Sequence, residues 1–310
     1  MSTNLYKTPA QVTFFSTVEK TLSFIYRIVL SRTIGAEGLG IYQIALSVFS
    51  VLLTAASSGV PVTVSRLITK QNALGNTAGK SAVVTAGIVS TLLFTVPVCA
   101  IIFGGQKIFG LLFSDERCLE VFLIILPGLI LTSVYSVMRG AFWGDKQFMP
   151  YSLIELAEDA LMVGLGCALV AGAASAADGA RRAAIAVFIS YIFSFLVSLF
   201  WYFKKGGRLV NPKNQLKPLL SSSLPVTAMR TSTSLMNSLV AVLMPMLLVK
   251  MCKMTDGEAV SLYGIAAGMA VPILFIPSSL IGSIAVVLAP ELSENFYRNR
   301  TERLKAHLEK

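Results

Sequence analysis

The sequence predicts an all-α, polytopic integral membrane protein of about eight transmembrane helices. They form one six-helix lobe and the start of a second lobe that repeats the first in parallel. Three observations predict it. Of 310 residues, 55% are hydrophobic and 14% charged, with a mean hydropathy of +0.72. Soluble domains carry about 25% charged residues, so this much apolar surface calls for lipid as its solvent. Apolar runs recur at the ~20 residues that cross ~30 Å of hydrocarbon, twice the length of a barrel strand and without its alternation. Finally, a stretch near the N-terminus recurs without a gap 221 residues later.

The runs fall at 11–31, 39–65, 81–104, 119–140, 149–173, 182–203, 219–249 and 259–290, numbered here as helices one to eight. The opening "MSTNLYKTPAQVTFF" lacks the short apolar core and small-residue cleavage site of a signal peptide, so helix one is expected to stay in the mature protein. Helix one carries Glu19, Lys20 and Arg27. Lys20 and Arg27 are nearly two turns apart and share a face, with Glu19 beside it as a partial counter-charge. "GAEG" turns the chain into helix two, which is uncharged from Gly38 through Ser65, is interrupted by Gly59 and Pro61, and runs into Arg66. "KQNALGNTAGK" leads to helix three and "GGQKIFGLLFSDER" to helix four, which contains Pro127 and ends near Arg139.

"WGDKQFMP" opens helix five, where Glu155 reaches Glu158 and Asp159 at i+3 and i+4. Three carboxylates that close cannot all stay charged in a dry site. "ASAADGARR" precedes helix six and "KKGGRLVNPKNQLK" precedes helix seven. Thr227, Arg230, Ser234, Asn237 and Ser238 recur at helical spacing along helix seven. That polar stripe cannot face lipid. "KMCKMTDGE" leads to helix eight, interrupted by Pro272 and Pro277.

A charge at the centre of a span costs ~2.5–3.5 kcal/mol, so its position is informative. Arg32, Arg66 and Arg139 lie near helix ends, where long cations snorkel to headgroups. The acidic residues of helix five also fit an exposed helix start after Pro150, and Ser and Thr can bond their own helix. Arg27 and Arg230 are hardest to explain that way; a hydrated cavity, which charges within spans usually face, is favoured over a structural ion pair for each. The cavity candidates are Lys20, Arg27, Arg66, Arg230, Ser234 and Asn237; the coupling-ion candidates are Glu155, Glu158 and Asp159. Proline removes a backbone bond and bends a helix, which makes Gly59, Pro61, Pro272 and Pro277 hinge candidates. Prolines are also simply common in membrane helices.

The internal repeat pairs Glu37 with Glu258, Tyr42 with Tyr263, and Ser57–Ser58 with Ser278–Ser279. Copies six helices apart share one membrane orientation, as in transporters built from two six-helix lobes. The expected organisation is a six-helix lobe over 1–204, a basic cytoplasmic linker over 205–218, and an incomplete second lobe over 219–310 with a charged tail. A second chain completing that lobe, or a truncated product, is the expectation. Loops after helices two, four and six, with the tail, hold 15 Lys and Arg; the opposite loops hold 7. The more basic side faces the cytoplasm, which predicts a multi-pass protein of the bacterial cytoplasmic membrane with a cytoplasmic N-terminus.

The net charge of +10 therefore reads as topology and not as nucleic-acid binding. Cys99, Cys118, Cys167 and Cys252 form no CxxC, and His307 is alone in the tail, so no metal is expected. No Walker loop, GxSxG, HExxH or dinucleotide fingerprint is present, and no strand precedes "GLGIYQ". A membrane transporter without a cofactor fits; an enzyme does not.

Three stretches carry a resemblance: "SRTIGAEGLGIYQIALSVFSVLLTAASSGVPVTVSRLI" (31–68), "MRGAFWGDKQFMPYSLIE" (138–155) and "LFIPSSLIGSIAVVLAPELSE" (274–294). Together they resemble the stage V sporulation protein B group of polysaccharide flippases, in the multidrug/oligosaccharidyl-lipid/polysaccharide exporter superfamily. That resemblance implies fourteen helices in two lobes around a hydrated cavity, and the movement of a lipid-linked sugar precursor between leaflets. In related flippases, arginines of helices one, two and eight grip the pyrophosphate. Arg27 and Arg66 match the first two by location; helix eight here has no Arg, and Arg230 stands in from helix seven. Helix five departs too, with "ELAED" where the group tends to have a Glu-Gln and a later Arg. The implied partners are the lipid-linked sugar and membrane lipids. A multidrug/cation antiporter of the same superfamily, favoured by the acidic residues, and a non-transporting membrane scaffold are the competing readings.

Overall fold

The computed structural model describes residues 3–274. Pro277, the rest of helix eight and the charged tail lie outside the described residues. The described chain is helical: α1 Thr3–Ser57, α2 Val60–Ala73, α3 Thr77–Gly104, α4 Gln106–Gly110, α5 Glu116–Ile125, α6 Gly128–Gly144, α7 Phe148–Val170, α8 Ala176–Lys204, α9 Lys213–Cys252 and α10 Asp256–Tyr263. A π-helical turn, Gly264–Ala270, and α11, Val271–Leu274, follow. Lipid offers no hydrogen bonds to backbone, so a helix that satisfies its own amides is the available solution for such runs.

The first predicted loop is a kink. Gly35 sits at φ 70°, ψ −176°, inside what is otherwise one helix. An L side chain rarely adopts that φ; glycine does so freely. The stretch Phe14–Ala73 has 60 residues, ~90 Å at 1.5 Å per residue, so Gly35 divides it into two crossings of ~30 Å hydrocarbon. Among the described residues, four helical stretches are long and apolar enough to cross a membrane, or five if α5 and α6, bent by 43°, form one. The bend falls at Pro127, just before α6. At 23 residues α7 is also long enough, but it carries Glu155, Glu158 and Asp159. Helix α9 begins at Lys213, inside the expected linker, and continues for 40 residues through Pro218, Pro225 and Pro245.

Side-chain caps start several helices. Asn76 accepts from the Gly79 N–H at α3, Asp115 from the Arg117 N–H at α5, and Ser175 from the Asp178 N–H at α8. Thr255 and Glu258 form a reciprocal capping box at α10. The π turn immediately precedes Pro272, and the Val271 N–H bonds the carbonyl of Ala266. Proline cannot donate to the carbonyl four residues back, and a locally widened helix is one way to accommodate it.

Two buried clusters hold the bundle. One gathers Leu30, Phe49, Phe122, Leu126 and Val260 around α1; the other joins α2, α3 and α6 through Val64, Ile68, Val84 and Met138. Helix α8 presents Ala183, Val187, Ser190, Ser194 and Ser198 as a buried stripe of small side chains, the residue type that lets membrane helices approach closely. The repeated segments also touch. A Cβ on Gly264 would strike the Ala36 carbonyl, and one on Gly268 would lie 2.6 Å from Leu39.

The loops sort into two faces. On one, Arg117 joins Glu37 at 2.7 Å and Asp115 at 2.6 Å, Arg182 meets Asp178 at 3.0 Å, and Arg181 pairs with Glu120. Hydrogen bonds from the Ala174 N–H and Arg182 hold the Asp178 carboxyl below its ordinary pKa. On the other, Asn72 donates to Asp145 at 2.9 Å, Lys80 meets Asp145 at 2.6 Å, and Lys205 donates to Gln147 at 2.7 Å.

Candidate functional site

Two polar regions lie at membrane depth. The first is a 280 Å³ cavity inside the six-helix lobe, between α1, α6, α7 and α8. Glu19, Glu155, Glu158 and Asp159 line it with Arg139, Tyr135, Ser57 and Tyr191. Arg139 donates to Glu155 at 3.2 Å. The Arg139 Nε and the Tyr135 hydroxyl are buried without a protein partner. Unpaired polar groups around a space several times the ~30 Å³ share of one water make this a site that holds water or ions. Four carboxyl groups face one guanidinium, an acidic lining with a single basic partner.

The structure brings the helix-five carboxylates together at depth and adds residues the sequence reading placed elsewhere. Glu19 joins the acidic cavity instead of screening Lys20 and Arg27. Arg139 turns inward to Glu155, not outward to headgroups. A sequence signal for this existed. Thr132, Tyr135, Ser136 and Arg139 follow i, i+3, i+4, i+7, the one-face spacing of a helix.

The second region is a seam between α9 and the break from α1 to α2. The Gly59 N–H donates to the Thr227 hydroxyl at 3.1 Å, Arg230 donates to the Ser58 carbonyl at 3.3 Å, and the Ser50 and Ser234 hydroxyls lie 3.4 Å apart. The α9 stripe thus satisfies backbone left free where α1 ends. Gly59 is glycine for space, because a Cβ there would collide with the Ser223 carbonyl and sit 2.6 Å from the Thr227 hydroxyl. Pro61 occupies the first turn of α2, where a missing N–H costs no helix bond.

None of Lys20, Arg27, Arg66 and Arg230 lines the acidic cavity. Lys20, Arg66 and Arg230 are exposed and Arg27 is half-buried; none has a carboxylate within 4.0 Å among the described residues. Ser234 is half-buried and Asn237 exposed on the same face of α9. Pro272 lies in α11, beside the π turn. No group of three His, Cys, Asp or Glu suited to a metal occurs among the described residues.

The family described as polysaccharide biosynthesis protein matches residues 11–296. This chain belongs to that family. Stage V sporulation protein B of Bacillus subtilis strain 168 is 25% identical over 306 residues, 94% of this chain and 58% of that protein. The lipid II flippase MurJ of the same organism is 24% identical over 174 residues, 53% of this chain and 32% of its own length. The chain thus spans under two thirds of the curated relatives it matches. Its fold is similar to an inward-facing multidrug resistance MATE family transporter of the MOP superfamily, with a TM-score of 0.66 at 18% identity, covering 92% of this chain and 64% of that one. The family and the likeness support an all-α, multi-pass membrane fold.

Proposed function

We propose that this chain works in a flippase or exporter that moves a lipid-linked oligosaccharide or polysaccharide precursor across the bacterial cytoplasmic membrane by alternating access. One observation carries the reading: a hydroxyl-lined seam with Arg230, at the contact between the six-helix lobe and the start of its repeat. A polyprenyl pyrophosphate sugar needs cations for its phosphates and neutral polar groups for its sugars. Lys20, Arg27, Arg66 and Arg230 supply the first; Ser234, Asn237 and the α1 hydroxyls supply the second. The similarity to a lipid II flippase supports the substrate class.

In this reading the N-terminus is cytoplasmic, and residues 1–204 form a lobe that rocks against the remainder about Gly59, Pro61, Pro272 and Pro277. A complementary half, from a second chain or a longer form of this one, closes the path. The acidic cavity of Glu155, Glu158 and Asp159 takes the coupling proton or cation.

The test is reconstitution in liposomes with a fluorescent lipid-linked sugar, scored by its accessibility in the outer leaflet. Arg27→Ala is expected to abolish flipping while membrane insertion stays intact; unchanged transport by that variant refutes the cationic path. The charge imbalance of the acidic cavity favours a second reading, a multidrug/cation antiporter. Proton-driven drug efflux that is lost in Glu155→Gln, with no lipid-linked sugar moved, selects that reading.

A further inference from the structure

A separate cavity of 520 Å³ lies on the loop face that carries Asp145 and Lys205, at the ends of α2, α3, α6 and α8. It shares no lining residue with the acidic cavity. The segment after α8 forms one wall and is pinned there: the Val210 N–H donates to the Thr85 hydroxyl at 3.1 Å, and the Tyr202 hydroxyl donates to the Arg208 carbonyl at 3.1 Å. We propose that this cavity binds a phosphate ester of phospholipid-headgroup size at the membrane surface.

The charges point to an anion. Lys80, Lys205 and Arg208 line the space with a single carboxylate, Asp145. That carboxylate is already engaged by Lys80 at 2.6 Å and Asn72 at 2.9 Å. Lys205 donates to the neutral Gln147 and lies 5.5 Å from the centre of the Trp201 ring. No described carboxylate pairs with Lys205 or Arg208. Two positive charges therefore remain uncompensated at the cavity wall.

The donors point the same way. Trp201 lines the cavity with its ring, and its indole N–H is buried without an acceptor among the described residues. Helix α3 opens at the same wall with Thr77 and Ala78, whose first-turn amides have no intrahelical acceptor. Asn76 satisfies only the next one, Gly79.

Size and depth fit a headgroup. Small-molecule sites occupy about 300–1,000 Å³. Phe142, Trp201 and Tyr202 give the cavity an aromatic side, and such rings sit at headgroup level in membrane proteins. Positive-inside topology accounts for basic loops, but it does not require a walled space with two uncompensated cations on its lining.

Trp201 is also the reporter. The chain has 2 tryptophans, so Trp143→Phe leaves Trp201 alone. The protein is placed in nanodiscs of phosphatidylcholine carrying either brominated phosphatidylglycerol or brominated phosphatidylcholine, and in unbrominated phosphatidylcholine discs with soluble glycerol phosphate. Quenching by brominated phosphatidylglycerol at tenfold or more lower mole fraction than by brominated phosphatidylcholine, lost in Lys205→Ala/Arg208→Ala, supports a lipid headgroup. A glycerol phosphate effect on Trp201 emission, lost in the same variant, supports a soluble phosphate ester. Arg208→Ala alone is expected to lose part of either effect. Lys250→Ala/Lys253→Ala removes the same charge from two exposed sites outside the cavity and is expected to change nothing. Anion preference that is absent, or equal in the two double variants, overturns the site.

Discussion

At the scale of single residues, Arg139 shows how neighbours decide the meaning of a charge. The same side chain at the end of an isolated helix snorkels. Here Glu155 draws it into the lobe at 3.2 Å, where dielectric screening is weaker than in water. Removing one partner of such a pair leaves a poorly solvated charge and costs more than removing both. Arg139→Ala is therefore expected to destabilise the protein by about 1–3 kcal/mol. Arg139→Ala/Glu155→Gln should recover part of that loss, as read from thermal unfolding in a double-mutant cycle. A double variant whose loss equals the sum of the Arg139→Ala and Glu155→Gln losses would show the pair to be uncoupled. Helix five in sequence shows carboxylates at helical spacing, but the guanidinium that faces them comes from another helix.

At the scale of elements, the breaks in α1 and α2 serve geometry of two kinds. Gly35 supplies a backbone angle, and Gly59 supplies space against α9. The two kinds respond differently to a methyl group. Gly59→Ala pushes Cβ into the Ser223 carbonyl, which cannot swing aside as a side chain does. The expected cost is about 1–3 kcal/mol, with loss of the α1–α9 seam. Gly164→Ala on α7 meets nothing within 4 Å; it is expected to be neutral or to stabilise by about 0.5–1 kcal/mol, because glycine is a poor helix former. Comparing the melting temperatures of the two variants separates packing from helix propensity. If both behave alike, close approach at Gly59 is not what holds the seam.

At the scale of the molecule, the loops after helices two, four and six converge on one face, while Glu37 pairs with Arg117 and Asp178 with Arg182 on the other. On that second face Arg117, Arg181 and Arg182 are paired with acids; on the first, Lys80 is paired with Asp145. The positive-inside rule then predicts that Lys205→Cys, in a background lacking the other cysteines, is labelled from the cytoplasm. The native exposed Cys252, at the far end of α9, is expected to be labelled from outside. The reverse pattern with a membrane-impermeant reagent inverts the topology.

Helix class, the number of long apolar runs and the two-sided loop charge were determined by the sequence alone, because hydropathy, glycine and proline act locally and each run must satisfy its own backbone in lipid. The choice of partners was decided only by the tertiary structure. Glu19 and Arg139 belong to one cavity, Arg230 reaches the Ser58 carbonyl, and three distant loops enclose the space beside Trp201. Periodicity shows which face of a helix is polar; only the packing of helices far apart in the chain determines which polar faces meet.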